Sequence, residues 1–499
     1  MPAQGYVLGV VQSSKRAIGE KEKGRVAMRM YAAGRWIDTA KTIDILNPYN
    51  GTVIDTVPRA DPNDAEMALE SIARGARTMA ALSGYDRYRI LRAAADLIET
   101  RSEELAGTIT LEEGKSLTES RAEVSRAVQT LTLSGEEAKR LHGETVPFDG
   151  APGGSRKFGF TLRVPCGVVV AISPFNFPLN LVCHKVGPAL AAGNAVIIKP
   201  ATDTPLSALK LTEILLEAGL PAEGIACLTG LGTEIGDMLC SDRRVRKITF
   251  TGSRDVGERI CRKAGIKKIT MELGSNAPVI VMPDADLEKV AAAVVATGYS
   301  NAGQVCISTQ RVLASEKVYG DLLDALKPKV EALITGNPVD ERTTVGPMIR
   351  EQEAIRVGEW VQEAVANGAR VLTGGERQGA VYAPTVVAEV TPDMRLFYDE
   401  LFGPAVAVTR FDTIDEAIAL ANNSIYGLAA GIFTENLEWA MRFAREVEAG
   451  SLMINWGPQW RADLMPYGGL KESGFGKEGP RYAVEEMTEL KLVCFHLAG

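Results

Sequence analysis

Ile225-Ala226-Cys227-Leu228-Thr229-Gly230-Leu231-Gly232-Thr233-Glu234-Ile235-Gly236 and, a little further on, Lys247-Ile248-Thr249-Phe250-Thr251-Gly252-Ser253-Arg254-Asp255-Val256-Gly257 read alike. Each is a short strand-like run, then a glycine-bearing turn, then apolar residues at helical spacing. A strand that ends in such a turn and enters a helix is the repeating unit of a parallel sheet covered on both faces. Backbone amides at the junction can approach a pyrophosphate. Taken alone each junction is a weak signal, because glycine turns after strands are common and neither matches G-x-G-x-x-G.

Working outward, the same alternation continues. The apolar run Val164 to Ile172 precedes helical spacing from Leu181 to Ala192. A strand at Ala195 to Ile198, a helix from about Leu206 to Ala218 and a strand at Lys268 to Glu272 complete the series. Upstream, Asp64 to Ala81, Tyr85 to Ser102 and Arg121 to Leu141 have amphipathic helical spacing. Downstream a second series runs from Pro278 to about Leu452. It contains a helix from Glu316 to Leu333, expected to break near Pro328, and a strand at Ala405 to Val408. The fold class that follows is α/β, with parallel strands in the interior.

The chain has 499 residues, 46% of them hydrophobic, which is core enough for two or three domains. A net charge of −8 argues against nucleic acid or an anionic membrane as a partner. Seven dispersed cysteines without a CxxC pair, and three histidines, make a zinc site or a disulfide framework unexpected. A reducing compartment, the cytoplasm, is expected, and no metal site. No stretch reaches the roughly 18 apolar residues of a membrane span. Residues 1–27 carry mixed charges and a short apolar piece, Tyr6 to Val11, and read as a disordered extension.

Cys306 follows Gly303-Gln304-Val305 at what reads as a helix-to-loop break, with Glu272 in Met271-Glu272-Leu273-Gly274 well upstream. A thiol nucleophile and a carboxylate base form a covalent-catalysis pair. Against this, a single cysteine is commonly a small buried hydrophobe, and Glu272 could be a solvated strand end. Asn176, between Pro174 and Pro178, could be a turn residue. Lys199 could be a surface lysine, and Glu400 a turn carboxylate beside Asp399.

The ordered set Ser173-Pro174-Phe175-Asn176-Phe177-Pro178, Lys199-Pro200, Phe250-Thr251-Gly252-Ser253, Glu272-Leu273-Gly274, Gly303-Gln304-Val305-Cys306, Glu400-Leu401-Phe402-Gly403-Pro404 and Pro466-Tyr467-Gly468-Gly469 resembles the aldehyde dehydrogenase superfamily. Within it the chain is nearer the glyceraldehyde-3-phosphate and lactaldehyde type. The resemblance spans about Tyr31 to the C-terminus. It implies a Rossmann-like NAD(P)-binding domain (28–142 and 163–274), a catalytic domain (275–483), and oligomerisation strands (143–162 and 484–499). It also implies that Cys306 is the nucleophile and Glu272 the base that activates water. The Asn176 amide and the Cys306 backbone N–H would hold the oxyanion. For the cofactor it implies Ile172, Ser173, Pro174, Phe175, Lys199, Thr202, Gly232, Gly236, Phe250, Gly252, Ser253, Gly257, Leu273, Glu400 and Phe402. Lys199 would meet the adenosine ribose, Ser253 the pyrophosphate and Glu400 the nicotinamide ribose. Thr202 stands where many NAD-preferring relatives carry glutamate, so NAD or NADP is permitted. Ser275 replaces the family's second glycine, with altered local packing as the expected result.

The substrate is expected to be a short polar or anionic aldehyde, met by Phe177, Val305, Ile307, Trp460 and Arg461. Val305 stands where phosphate-substrate relatives carry arginine, which counts against an obligate phosphate. Arg461 has an alternative reading, a salt bridge to Asp463 or to a neighbouring subunit. The resemblance implies that the strand Thr488 to Phe495 and a hairpin near His142 to Arg163 build a homodimer or homotetramer by edge pairing; the alternative is a strand that closes the chain's own sheet. Two other enzyme classes stay open. One is a CoA-acylating semialdehyde dehydrogenase, for which a hydrolytic base serves no purpose. The other is a cofactor-free thiol hydrolase, for which no histidine lies beside a matching motif. A silent binding protein is a third reading, disfavoured by the intact Cys306, Asn176 and Glu272.

Overall fold

The computed structural model describes residues 27–497. The expected extension therefore lies almost wholly outside the described residues. An eight-stranded sheet runs in the order Arg35–Ile37, Met30–Ala32, Ile225–Cys227, Ala195–Lys199, Val168–Ile172, Val245–Thr251, Lys268–Glu272, Gly474–Phe475. Its five central strands are parallel, and the flanking pairings are antiparallel. In chain order the central five run 3-2-1-4-5, so the direction of winding reverses between Val168–Ile172 and Val245–Thr251. Ligands of open α/β sheets bind at the carboxyl ends beside such a reversal.

The second sheet has seven strands: Arg370–Thr373, Thr385–Ala388, Ala405–Phe411, Thr309–Ser315, Ala277–Val281, Ala429–Phe433, Ser451–Ile454. Its pairings are parallel except at the first edge. Each sheet has its own apolar core, Val168–Ala171 and Val196–Ile198 in one and Val279–Val281 and Val312–Ala314 in the other. The two units exchange chain: Gly474–Phe475, which follows the second sheet in sequence, pairs with Met271–Glu272 of the first. A third sheet joins Thr488–His496, Lys157–Pro165 and Thr145–Val146. Phe158, Leu162, Leu490, Leu492 and Phe495 on it are exposed.

Two elements depart from the sequence reading. The helix Ser102–Glu113 was not anticipated, because its buried face carries Glu112 and Glu113 and so looks polar. Glu112 is satisfied by the Leu206 and Ser207 amides, and Glu113 accepts from Asn301 through one oxygen while the other has no partner. The helix Tyr319–Glu331 runs through Pro328 without breaking, and Pro328 still accepts from Ala332 N–H one turn on. In the helix Asn180–Ala191 every residue is buried, including His184 and Lys185. Two such polar groups inside a core require partners, and these lead to the site.

Candidate active site

Cys306 lies between the helix Leu287–Gly298 and the strand Thr309–Ser315. The turn before it holds three successive left-handed residues, Asn301 (φ 49°), Ala302 (φ 53°) and Gly303 (φ 71°). Such backbone is strained for L-residues and persists only where the surroundings fix it. Here Glu119 accepts from the Ser300 hydroxyl (2.7 Å) and Asn301 N–H (2.8 Å), and Glu113 accepts from the Asn301 amide. Gly303 also meets the second unit so closely that a Cβ would stand 2.1 Å from the Gly403 carbonyl oxygen. Both units therefore hold the nucleophile turn.

The sulfur sits in an apolar cage of Val305, Ile307, Leu428, Ala429, Tyr467 and Phe177, with the residue partly open to solvent. Its Sγ is 3.0 Å from the Tyr467 hydroxyl. Burial pushes the thiol up to about 11, the bond from Tyr467 pulls it back, and nearby Glu272 pushes it further. The Asn176 amide donates to the Gln304 carbonyl at 2.7 Å, which orients it and leaves a second N–H on the same nitrogen. Lys115 secures that loop by donating to the Asn176 carbonyl (2.7 Å) while paired with buried Glu123.

Glu272 ends its strand fully buried, and neither oxygen has a hydrogen-bond partner. Burial first, then the charge of Glu478, raises its carboxyl well above the usual range. Gly468 gives it room: a Cβ there would stand 2.8 Å from Oε1. Glu478 behaves oppositely, held far down by Lys185 (2.8 Å) and Arg461 (3.1 Å) against the cost of burial. Arg461 also donates to His184 Nδ1 at 3.2 Å and lies 3.9 Å over the Tyr467 ring. Asp463 pairs with His184 (2.9 Å) and Arg126 (2.8 Å) instead of Arg461. The alternative partner expected for Arg461 is thus corrected to Glu478.

The residues expected at the cofactor line the carboxyl ends of the first sheet and the facing loop. Ile172–Ser173, Lys199, Thr251–Ser253 and Glu272 close or follow their strands. Across the cleft, Glu400 accepts from Ser275 N–H at 2.7 Å, and burial raises it to about 7. Phe175 of the first unit meets Phe402 of the second edge-on, ring centres 6.0 Å apart. The Thr202 hydroxyl donates to the Gly230 carbonyl at 3.3 Å. Some expected residues lie differently. Phe250 is in the core of the first unit, its ring against Gly252, and Gly257 packs on Leu273. Gly232 opens the helix Gly232–Ser241 and Gly236 is inside it, while Gly230 (φ 138°) makes the turn. Trp460 is exposed and outside the apolar cage.

A family model described as the aldehyde dehydrogenase family matches residues 36–493. The chain belongs to that family. It is 50% identical over 468 residues to 3-sulfolactaldehyde dehydrogenase of Priestia aryabhattai, covering 94% of this chain and 98% of the relative. It is 39% identical to lactaldehyde dehydrogenase of Methanococcus vannielii, covering 94% and 100%. Among solved structures it resembles glyceraldehyde-3-phosphate dehydrogenase GapN from Methanocaldococcus jannaschii in complex with NADP. That match has a TM-score of 0.89 and 37% identity, covering 92% of this chain and all of the other. This dehydrogenase is therefore an oxidoreductase acting on aldehydes, with NAD or NADP as cofactor, and lies near the lactaldehyde and GapN type as the motif set implied.

The cleft fits a dinucleotide. Buried Lys199 spends one N–H on the Pro200 carbonyl (2.5 Å), and the Ser173 hydroxyl is buried with no partner. Ser253 precedes the helix Arg254–Ala264 without capping it, so its hydroxyl is unspent at a positive helix end. Among the dehydrogenase's described residues, no cluster of metal ligands occurs, and no helix is long and apolar enough to cross a membrane. Sequence reasoning missed Tyr467, Lys185, Glu478, His184 and Asp463 as site residues. Tyr467 lay inside a matched motif. The others gave no local signal, because their roles arise only from contacts between distant segments.

Proposed function

We propose that this dehydrogenase oxidises a short polar or anionic aldehyde to the carboxylic acid through covalent chemistry at Cys306. The Cys306 sulfur, as thiolate, attacks the aldehyde carbon and the charge passes to the former carbonyl oxygen. The free N–H of Asn176 and the Cys306 backbone N–H are the donors suited to that oxyanion, each worth about 100- to 1000-fold in rate. A nicotinamide dinucleotide, when bound, would supply the hydride acceptor; loss of that hydride, with the oxyanion re-forming the C=O bond, leaves the carbon on Cys306 as a thioester. Lys199, Ser173, Ser253 and Glu400 are the residues that would hold it. Glu272 then takes a proton from water, whose oxygen attacks the thioester carbon, and the carboxylate leaves as Cys306 is regenerated.

The observation that carries the substrate class is Arg461. It is a buried guanidinium beside the apolar cage, and its Nε–H has no partner. A buried unsatisfied donor favours an acceptor on the substrate. The small cage of Phe177, Val305 and Ile307 favours a short chain. The exposed apolar residues of the three-stranded sheet support a homodimer or a dimer of dimers.

The test is a panel of short aldehydes bearing sulfonate, carboxylate, phosphate or hydroxyl groups, beside long alkyl aldehydes, scored by reduced dinucleotide. The expected ranking puts short polar or charged aldehydes first. Arg461→Gln is expected to raise KM for the charged ones by about 10- to 100-fold. A preference for long alkyl chains would overturn this reading.

A further inference from the structure

Resting on the reading of Cys306 as nucleophile, we propose that Tyr467 is a catalytic residue. Its phenol O–H donates to the Cys306 thiolate, and Arg461, stacked on its ring and held by Glu478 and by His184, which Asp463 orients, aims and polarises that donor.

The geometry is a closed set of contacts. Tyr467 and Glu478 are bonded backbone to backbone in both directions, Tyr467 N–H to the Glu478 carbonyl (3.1 Å) and Glu478 N–H to the Tyr467 carbonyl (2.7 Å). The Glu478 carboxylate holds Arg461, and Arg461 returns to lie over the Tyr467 ring at 3.9 Å. The phenol is thus fixed at its backbone and its ring face, with its hydroxyl at 3.0 Å from Sγ. A cation over the ring draws electron density from it and makes the O–H a better donor. Within that set His184 has one workable tautomer. Its Nδ1 accepts from Arg461, so Nε2 carries the proton and donates to Asp463 at 2.9 Å. Burial and the Arg461 charge hold His184 down to about 4, which keeps it neutral in that role. Arg126 secures Asp463 from outside. The charged groups that face Cys306 are Glu272, Arg461 and Glu400, and those that face Tyr467 are Arg461 and Glu272. Of these only Arg461 favours a thiolate. The thiol therefore depends on Arg461 and on the donated hydrogen bond.

The donor has a computable consequence. A bond to the charged form that lowers a thiol's pKa by about one unit raises its thiolate fraction about tenfold below the pKa. Nucleophilicity falls with basicity by about threefold over the same unit, leaving a net gain of about threefold.

The test is alkylation of Cys306 by iodoacetamide, followed on the Cys306 peptide by mass spectrometry between about pH 6 and about pH 10. Dinucleotide binding serves as the check that each variant is folded. Tyr467→Phe keeps the ring under Arg461 and removes only the hydroxyl. It is expected to slow alkylation at neutral pH about threefold and to move the profile up by about one pH unit. A profile that superimposes on the wild type, or one slowed equally at every pH, would overturn the proposal. The second arm compares His184→Gln, which can still accept from Arg461 and donate to Asp463, with His184→Leu, which can do neither. The glutamine is expected to keep the wild-type profile, and the leucine to shift it in the same direction as Tyr467→Phe. Equal profiles for both would remove the positioning role of His184. If Tyr467→Phe fails to bind dinucleotide, this second arm decides the proposal alone. Failure of the nucleophile reading is separately visible, as retained turnover in Cys306→Ala, while the wild-type alkylation profile stays readable.

Discussion

Two carboxylates reach the same site from opposite sides, and they have opposite electrostatics. Glu272, at the end of its strand, is buried with both oxygens unpaired and is held well above its usual range. Glu478, from the loop after the second sheet, is as deeply buried but is answered by Lys185 and Arg461 and stays ionised. Partners, not burial, make the difference, since both residues are 2% exposed. The two states are also linked, because the charge on Glu478 is one of the forces that raise the Glu272 carboxyl. Pairs of titratable groups pushed apart in this way mark acid–base assignments. The unpaired member is the one free to take a proton from water, and the paired member is fixed scenery that tunes it.

The comparison has meaning only if covalent chemistry happens between the two groups. Cys306→Ala is expected to abolish aldehyde oxidation and to leave dinucleotide binding unchanged, read by fluorescence titration beside a turnover assay. Substantial remaining turnover would remove the nucleophile, and with it the role given to Glu272.

Glu272→Gln tests the unpaired carboxylate directly. The thioester should form and then stall, giving a burst of reduced dinucleotide close to one per active site. Steady turnover should fall by about 100- to 10,000-fold, the usual worth of a positioned base. In the wild type the sign of the pH dependence follows from the raised value. Glu272 must lose its proton to act, so deacylation falls as pH drops through that raised pKa. Wild-type turnover in Glu272→Gln would place the base elsewhere.

Glu478→Gln tests the paired one. It strands two buried cations, Lys185 and Arg461, and breaking a buried ion pair from one side costs about 3–5 kcal/mol. The expected readout is a clear fall in Tm. Removing that anion also takes away one of the forces that raise Glu272, so the acidic limb of the deacylation profile should move to lower pH. An unchanged Tm with an unchanged limb would mean that the two carboxylates do not communicate.

How much of this was legible in the sequence divides along the same line. The strand–turn–helix order from Val168 to Glu272 was legible, because apolar runs and glycine turns are local patterns that the sheet reproduces. Cys306, Glu272 and Asn176 were legible as motif residues. The state of Glu272 was not, because it depends on Glu478, more than two hundred positions away. His184 was set aside in the sequence for lack of a neighbouring motif, yet it contacts Arg461 and Asp463, which approach it only after folding. The helix Ser102–Glu113 failed for a related reason. A buried face that carries Glu112 and Glu113 imitates a solvated one until their partners are known.

The mildest expected effect lies at the far end of the cleft, where a carboxylate can be added instead of removed. Thr202 now donates its hydroxyl to the Gly230 carbonyl, and buried Lys199, three positions before it, is the nearby cation expected at the ribose. A neutral side chain here lets a 2′-phosphate approach, so measurable NADP binding is expected. Thr202→Glu would set an anion at that place. Like charges about 4 Å apart repel by roughly 4 kcal/mol at an effective dielectric near 20, before screening and side-chain movement reduce it. A swing toward NAD of about 10- to 100-fold in the ratio of the two Kd values is therefore expected. Unlike Glu478, which Lys185 and Arg461 answer directly, this carboxylate would stand near Lys199, already lowered to about 8 by its own burial, so much of its charge would be felt by the ligand. A wild type that ignores NADP, or a variant whose ratio does not move, would show that another residue reads the ribose.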